Sequence, residues 1–406
     1  MNHTPLEPLD EWLLGDEAAS WLEHLRRADQ PPHQIITQLR KHLTAEQAHR
    51  VMELAELRGR AAQKFTAAER MFFTRVGYEQ ASDQWIARHK SARFANRRSV
   101  ADLCCGVGGD ALGLAGVADQ LLLVDQSATM TAFAARNLLE NGIEKQISTS
   151  TADATSLALQ NYDAWHIDPD RRPRGGRTTQ AELHEPSDDA IDAMLAANPN
   201  AAVKLAPACE VPARWTDAAE LEWVSRSGEC KQLVVWFGGL TGEPGGRRAT
   251  ILAADGPEVR ALATVTGAGD TLPDAADQIG RYVMEPDAAV LASDLVGDLA
   301  NRHQWWTFAS TTGYLTSDTA KLDPAWSTFE VLDVMPLKPK KLAAYLRKRG
   351  IGQLEIKHRA VKLSPKSLRR DLKPQGDEHA TLLVTRVLEK RIAIVARRLI
   401  YEPFNS

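Results

Sequence analysis

Cysteine is scarce in this chain. Only Cys104, Cys105, Cys209 and Cys230 occur among 406 residues. None forms a CxxC pair or sits at zinc-knuckle spacing, and adjacent Cys104 and Cys105 are poorly placed to bridge each other. A disulfide scaffold and a cysteine-built metal centre are therefore excluded, and a reducing, cytoplasmic setting without a metal is expected. Long apolar runs are missing too: nowhere do roughly 18 uncharged apolar residues follow one another. The opening "MNHTPLEPLDEW" has no basic segment leading into an apolar one, so no membrane role is expected. Repeats of fixed period, low-complexity tracts and the dinucleotide spacing G-x-G-x-x-G are also absent.

What remains is a 44.7 kDa chain with ample apolar material for several compact units. Residues 1–95 space their apolar positions at three and four, as in "QIITQLRKHLTAEQAHRVMELAELRGRAAQKF", and predict a helical N-terminal region. From 96 to 256, short β-rich runs ("SVADLCC", "QLLLVDQ", "QISTSTA", "AWHID", "AAVKLAP", "QLVVWFG", "ATILAAD") alternate with helical ones. That alternation predicts an α/β core with a Rossmann-like, mostly parallel sheet of seven strands. "GLTGEPGGRR" leaves no room for a helix, so the seventh strand is expected to return antiparallel beside the sixth. Residues 257–325 read as a small linking subdomain containing one helical piece, "YVMEPDAAVLASDLVGDLANRHQWW". Residues 326–406 read as an α+β module of two strand-helix pairs and a closing hairpin.

The chemistry gathers at "VADLCCGVGGD". A strand running into a glycine turn and then a helix offers free backbone N–H groups and close approach to a ligand. Here Gly106, Gly108 and Gly109 are framed by Asp102 and Asp110, carboxylates that would repel a pyrophosphate but suit a ligand carrying an ammonium and a sulfonium. S-adenosyl-L-methionine is that ligand. Asp125, ending the second strand, is placed to accept the ribose hydroxyls, and Asp153, after the third, falls near the adenine. Each acid alone could be a strand-end turn former; the ordered set in successive βα units points to the cofactor.

Chemistry on the methyl acceptor is expected at the end of the fourth strand, in "AWHIDPDRRPRGGR". Asp168 and Asp170 are candidate proton acceptors, and Arg171, Arg172 and Arg174 could stack on a base or clamp a phosphate. Lys204, ending the fifth strand, either acts beside Asp168 to lower the pKa of a hydroxyl or snorkels without a chemical role. His166, two residues before Asp168, reads as a core histidine bonded to backbone. Cys104 and Cys105 read as small strand-end residues, not nucleophiles.

"DLCCGVGGD" resembles the first motif of class I methyltransferases, in the "CGVGG" form found among RNA-modifying members such as trimethylguanosine synthase. Together with "MFFTRVGYEQAS", "HIDPDRRP", "EWVS" and "EIKHRAVKLSPKSLRRDLK", it resembles a bacterial methyltransferase family with a C-terminal THUMP-like domain. The resemblance implies a small ferredoxin-like insert at 257–325, a THUMP-like domain at 326–406, and RNA as partner. In methylases of exocyclic amines the fourth-strand motif is Asp/Asn-Pro-Pro-aromatic; here Asp170 and Arg171 replace the second proline and the ring. Cysteine-nucleophile uracil methylases place their cysteine after this strand, where none stands.

Charge supports the RNA expectation. Residues 331–406 hold 18 Lys and Arg against seven Asp and Glu, near +11, while the whole chain is at -4. Lys340, Lys341, Lys348, Lys357, Arg359, Arg369 and Arg370 are the candidate phosphate contacts. The reading is thus an S-adenosylmethionine-dependent methyltransferase acting on structured RNA, tRNA or rRNA. Its alternatives are a small-molecule or protein methyltransferase with a merely structural basic module, and an RNA-binding protein with an inactive core. A lid over the cofactor from "MFFTRVGYEQAS" and "KSARF" is a further expectation.

Overall fold

The structure is a computed structural model that describes residues 5–27, 31–143, 146–170, 179–276, 278–308, 313–387 and 390–401. Two compact units emerge where four domains were expected. One comprises Met1–Leu221, Gln232–Gly245 and Ala253–Arg260; the other comprises Glu222–Lys231, Gly246–Leu252 and Ala261–Ser406.

The first sheet is built from β1 (Ser99–Leu103), β2 (Gln120–Asp125), β3 (Gln146–Thr151), β4 (Ala164–Ile167), β5 (Ala201–Leu205), β6 (Glu220–Arg226), β7 (Glu229–Trp236), β8 (Arg247–Asp255) and β9 (Glu258–Gly267). Their order is β3-β2-β1-β4-β5-β7-β6-β8-β9. The first five are mutually parallel, and β7 runs antiparallel to β5. All seven anticipated runs are strands, but the "ATILAAD" strand, β8, lies beside β6 and not beside β7. The intervening β6 was hidden by its two glutamates, which are 1% exposed yet compensated. Glu220 takes an ion pair from Arg93 at 2.6 Å, and Glu222 accepts from Thr250 Oγ1 at 2.6 Å.

The N-terminal helices are not a separate domain. Helix Ala45–Ala61 is closed by a Thr44/Gln47 capping box. Its buried Val51, Leu54 and Leu57 join Phe65, Met71, Phe72 and Phe73 in a cluster with Val107 and Phe133 of the parallel core. Fully buried Asn137 fastens this junction: its Oδ1 accepts from Phe72 N–H at 2.6 Å, and its Nδ2 donates to Phe72 O at 3.0 Å and Val107 O at 2.9 Å. "MFFTRVGYEQAS" is thereby fixed against the glycine turn.

The second unit holds one sheet of β10 (Asp274–Ala275), β11 (Tyr282–Pro286), β12 (Trp306–Thr307), β13 (Leu315–Ser317), β14 (Trp326–Pro336), β15 (Ile351–His358), β16 (Glu378–Val387) and β17 (Lys390–Leu399), ordered β10-β12-β13-β11-β14-β17-β16-β15. Because β11 pairs with β14 from Tyr282↔Glu330 to Pro286↔Trp326, residues 257–325 form no subdomain of their own: β9 joins the first sheet and β10 to β13 join the C-terminal one. The piece read as helical begins as β11, and only Ala288–Ala292 and Val296–His303 are helices. Leu342, Leu346, Leu368 and Leu372 of helices Pro339–Lys348 and Pro365–Leu372 pack with Leu382 and Val395 of the sheet. Among the described residues, no helix is long and apolar enough to cross a membrane.

Candidate functional site

Strand order reverses between β1 and β4, where Leu103 pairs with Val124 on one side and Ile167 on the other. Open α/β sheets bind ligands at such a point, outside the carboxyl ends of the strands. Here those ends face a cavity of about 280 Å³. Of the sequence-predicted residues, Asp102, Gly106, Gly109, Asp110, Asp125, Asp168 and Asp170 line it; Gly108, Asp153 and Lys204 do not.

The glycines of the turn have distinct reasons. Gly106 has φ +52 and nothing within 4 Å of a would-be Cβ, so its bare face is left for a ligand. Gly108, at φ +82, would bring a Cβ to 3.1 Å from the Ala134 Cα and is a packing residue. Gly109 packs against Ser82. The Gly106 N–H donates to Asp125 Oδ2 at 3.0 Å and the Ser127 N–H to Asp125 Oδ1 at 2.9 Å, which pins the carboxylate at the end of β2. Burial pushes the Asp125 carboxyl up, and these bonds oppose it. Asp153 instead turns onto Thr155, accepting from its N–H at 2.9 Å and its hydroxyl at 2.7 Å.

Beneath the turn lies a buried charge network. His166, expected to bond to backbone, has its Nδ1 at 2.7 Å from Asp102 Oδ1 and its Nε2 at 3.2 Å from Lys90 Nζ. Lys90 Nζ is 2.6 Å from Asp110 Oδ1, and Ser82 Oγ donates to Asp110 Oδ2 at 2.8 Å. Burial alone would raise the Asp110 pKa, but Lys90, His166 and Lys204 outweigh it and hold the carboxyl low. For Asp102 burial wins and pushes the carboxyl up. Buried Asp102 Oδ2 has no partner among the described residues. This orphan acceptor, the pinned Asp125 carboxylate and the open face of Gly106 suit a ligand with an ammonium and a ribose diol, and so fit S-adenosylmethionine.

At the end of β4, Asp168 pairs with Lys204, whose ammonium also reaches Gln80 O at 3.4 Å. Asp170 accepts from Gln80 Nε2 at 3.1 Å and exchanges backbone bonds with Glu185 at 2.8 and 3.0 Å. Asp168, Asp170 and Glu185 make this end of the cavity acidic, a surface for hydrogen-bond donors. Arg171, Arg172 and Arg174 lie outside the described residues. The thiols of Cys104 and Cys105 are pushed well up by burial, which disfavours a thiolate. Among the described residues no cluster could hold a metal ion.

Sequence reasoning gave no individual role to Gln80, Ser82, Lys90 or Glu185. "YEQAS" was quoted as a possible lid, and Gly77, Gln80, Ala81 and Ser82 do line the cavity. Lys90 opens "KSARF", the other stretch quoted for the lid, and lies in the last turn of a helix.

In the second unit, Lys340, Lys341, Lys348, Arg369 and Arg370 are exposed. Lys357 and Arg359 are half-buried and engaged with Glu285, at 2.5 and 3.2 Å, so they hold the sheet together. Lys340 and Arg347 of one helix, with Arg370 and Lys373 at the other, line a groove floored by Ala343 and Ala344 and containing the acid Asp371.

Known proteins agree with this architecture. Residues 327–398 match the THUMP domain-like family. Over 354 residues the chain is 28% identical to proteins of two Mycobacterium tuberculosis strains, each named an uncharacterized S-adenosylmethionine-dependent methyltransferase, covering 83% of this chain and 92% of theirs. A crystal structure of a protein described as a putative methyltransferase, from Porphyromonas gingivalis W83, superposes with a TM-score of 0.75 at 20% identity over 95% of this chain and 98% of that one. The fold is thus the one seen in a protein described as a putative methyltransferase, and the match over residues 327–398 adds a THUMP-like domain to it.

Proposed function

We propose that this chain, an S-adenosylmethionine-dependent methyltransferase, methylates structured RNA, either tRNA or rRNA. The observation that carries the RNA reading is the THUMP-like unit, whose two helices expose Lys340, Lys341, Lys348, Arg369 and Arg370. Fixed cations along a groove attract a phosphate backbone by releasing its counterions.

Bound S-adenosylmethionine supplies an electrophilic methyl group on a sulfonium. Asp125 accepts the ribose hydroxyls, Gly106 leaves room for the ligand to approach, and Asp102 faces the ammonium. Lys204 orients Asp168, and Gln80 orients Asp170, so that two carboxylates meet the acceptor group and one of them takes its proton. Cys104 and Cys105, whose thiols are pushed well up, stay out of the reaction, which makes it a direct transfer.

Binding of tRNA and rRNA to the full chain at several salt concentrations tests the RNA reading. The dissociation constant should rise steeply with salt, with a log–log slope of about 0.7–0.9 per phosphate contacted. Changing Lys340, Arg347 and Arg370 together to Glu should lower that slope and weaken binding to every RNA alike. Salt-insensitive binding, or an unchanged slope in the variant, would refute this use of the basic unit and leave a non-RNA acceptor.

A further inference from the structure

Lys90 has no place in the chemistry described so far, yet it is 2% exposed. Burying an ammonium costs several kcal/mol unless its partners compensate, so the partners define its role. An ammonium has no lone pair, so His166 Nε2, 3.2 Å from Lys90 Nζ, must accept. The imidazole proton then sits on Nδ1 and is donated to Asp102 Oδ1 at 2.7 Å. Lys90 also neutralises Asp110 at 2.6 Å. One cation and two carboxylates remain, a net charge of -1, on groups of which Asp102 and His166 are 1% exposed and Asp110 7%. The surplus negative charge ends at Asp102 Oδ2, unpartnered among the described residues and on a residue that lines the cavity.

The neighbouring charges do not cancel it. On β5, Lys204 is paired with Asp168 at the end of β4, and Asp125 on β2 adds a further negative charge. Ser82, from the N-terminal segment, adds only a hydroxyl, donated to Asp110.

We infer that Lys90, His166, Asp102 and Asp110 form a proton-linked counter-charge for the cofactor's ammonium. Without ligand Asp102 carries a proton on Oδ2; when the ammonium docks there, that proton leaves to solvent. Lys90 and His166 are thus positioning residues that set the charge of Asp102. The inference rests on S-adenosylmethionine occupying this cavity and not on the RNA reading.

The directions of the individual groups agree: burial pushes the Asp102 carboxyl up against the pull of His166, and burial pushes Lys90 down against the pull of Asp110. Binding requires ionised Asp102, whose pKa burial raises in the free protein. Affinity is therefore full above that pKa and weakens as pH falls through it, by at most about tenfold per pH unit.

Calorimetric titration of the full chain with S-adenosylhomocysteine, from about pH 5.5 to 7.5 in two buffers of different ionisation enthalpy, counts the protons released. Release approaching one proton per ligand at the acid end, with the matching rise in Kd, is expected. Asp102→Asn cannot take up a proton at this position, so its residual binding should release none and show a flat profile. A buffer-independent enthalpy with a flat Kd in the unaltered protein overturns the inference without reference to any variant. Undiminished release in Asp102→Asn overturns it as well. Ligand binding that is tight but pH-independent refutes the quartet alone, whereas no binding at any pH refutes the cofactor reading with it.

Discussion

Asp125→Asn is the sharpest probe of the cofactor site. Asp125 Oδ2 accepts from Gly106 N–H at 3.0 Å and Oδ1 from Ser127 N–H at 2.9 Å. A carboxylate has about four lone-pair sites, so about two remain for the ribose diol. In asparagine one oxygen becomes an NH2 group. It must face one of the two backbone donors, donor against donor, and it no longer accepts from a ribose hydroxyl. Losing one hydrogen bond to a charged acceptor costs about 1.5–3 kcal/mol, a weakening of about 10- to 150-fold. Burial already pushes this carboxyl up, so the measurement belongs well above the ordinary carboxylate range, near pH 8. Calorimetry with S-adenosylhomocysteine gives Kd, and circular dichroism checks the fold. An analogue lacking one ribose hydroxyl completes a double cycle: its penalty should be large in the unaltered protein and small in the variant. A Kd within twofold of the original, or an equal analogue penalty in both proteins, would refute the assignment.

Other perturbations test other parts of the site. Gly108→Ala places a side chain at φ +82 and a Cβ 3.1 Å from the Ala134 backbone; a loss of about 1–3 kcal/mol is expected, read as a fall of several degrees in Tm, and an unchanged Tm would contradict the packing role. Asn137→Ala leaves Phe72 N–H, Phe72 O and Val107 O without their partner. It should lower stability by about 3 kcal/mol or more and weaken cofactor binding through the loosened turn; a loss below about 1 kcal/mol in thermal or urea unfolding would count against the junction. Lys204→Met frees Asp168 from its ion pair. Turnover should drop on the order of a hundredfold while the Kd for S-adenosylhomocysteine moves little; unchanged turnover would make Lys204 a bystander.

Much of the parallel core was legible because buried parallel strands read as continuous apolar runs, as in "VADL" and "AWHI". Asp102, Gly106 and Asp125 were legible because chain order alone places strand ends side by side at a switch point. Asp153 shares that chain-order pattern but lies outside the cavity lining and accepts from the N–H of its own turn. β6 escaped because Glu220 and Glu222 broke its apolar pattern, and their compensating partners, Arg93 and Thr250, come from distant segments. The roles of Lys90 and Ser82 escaped because their places are set by how the N-terminal helices pack, which no local period encodes. In the basic unit, composition could not separate the exposed Lys340 and Arg370 from Lys357 and Arg359, which Glu285 engages. The separation depends on strand pairing, which also joined residues 274–317 to the C-terminal sheet.

Transfer of tritium from methyl-labelled S-adenosylmethionine to total RNA, purified from a strain lacking this gene, tests the central claim most directly, with Asp168→Ala as control. The account predicts label in RNA that disappears with Asp168→Ala, and nucleoside analysis of the labelled RNA would then identify the methylated atom. Tight cofactor binding by calorimetry with no label in RNA would contradict it.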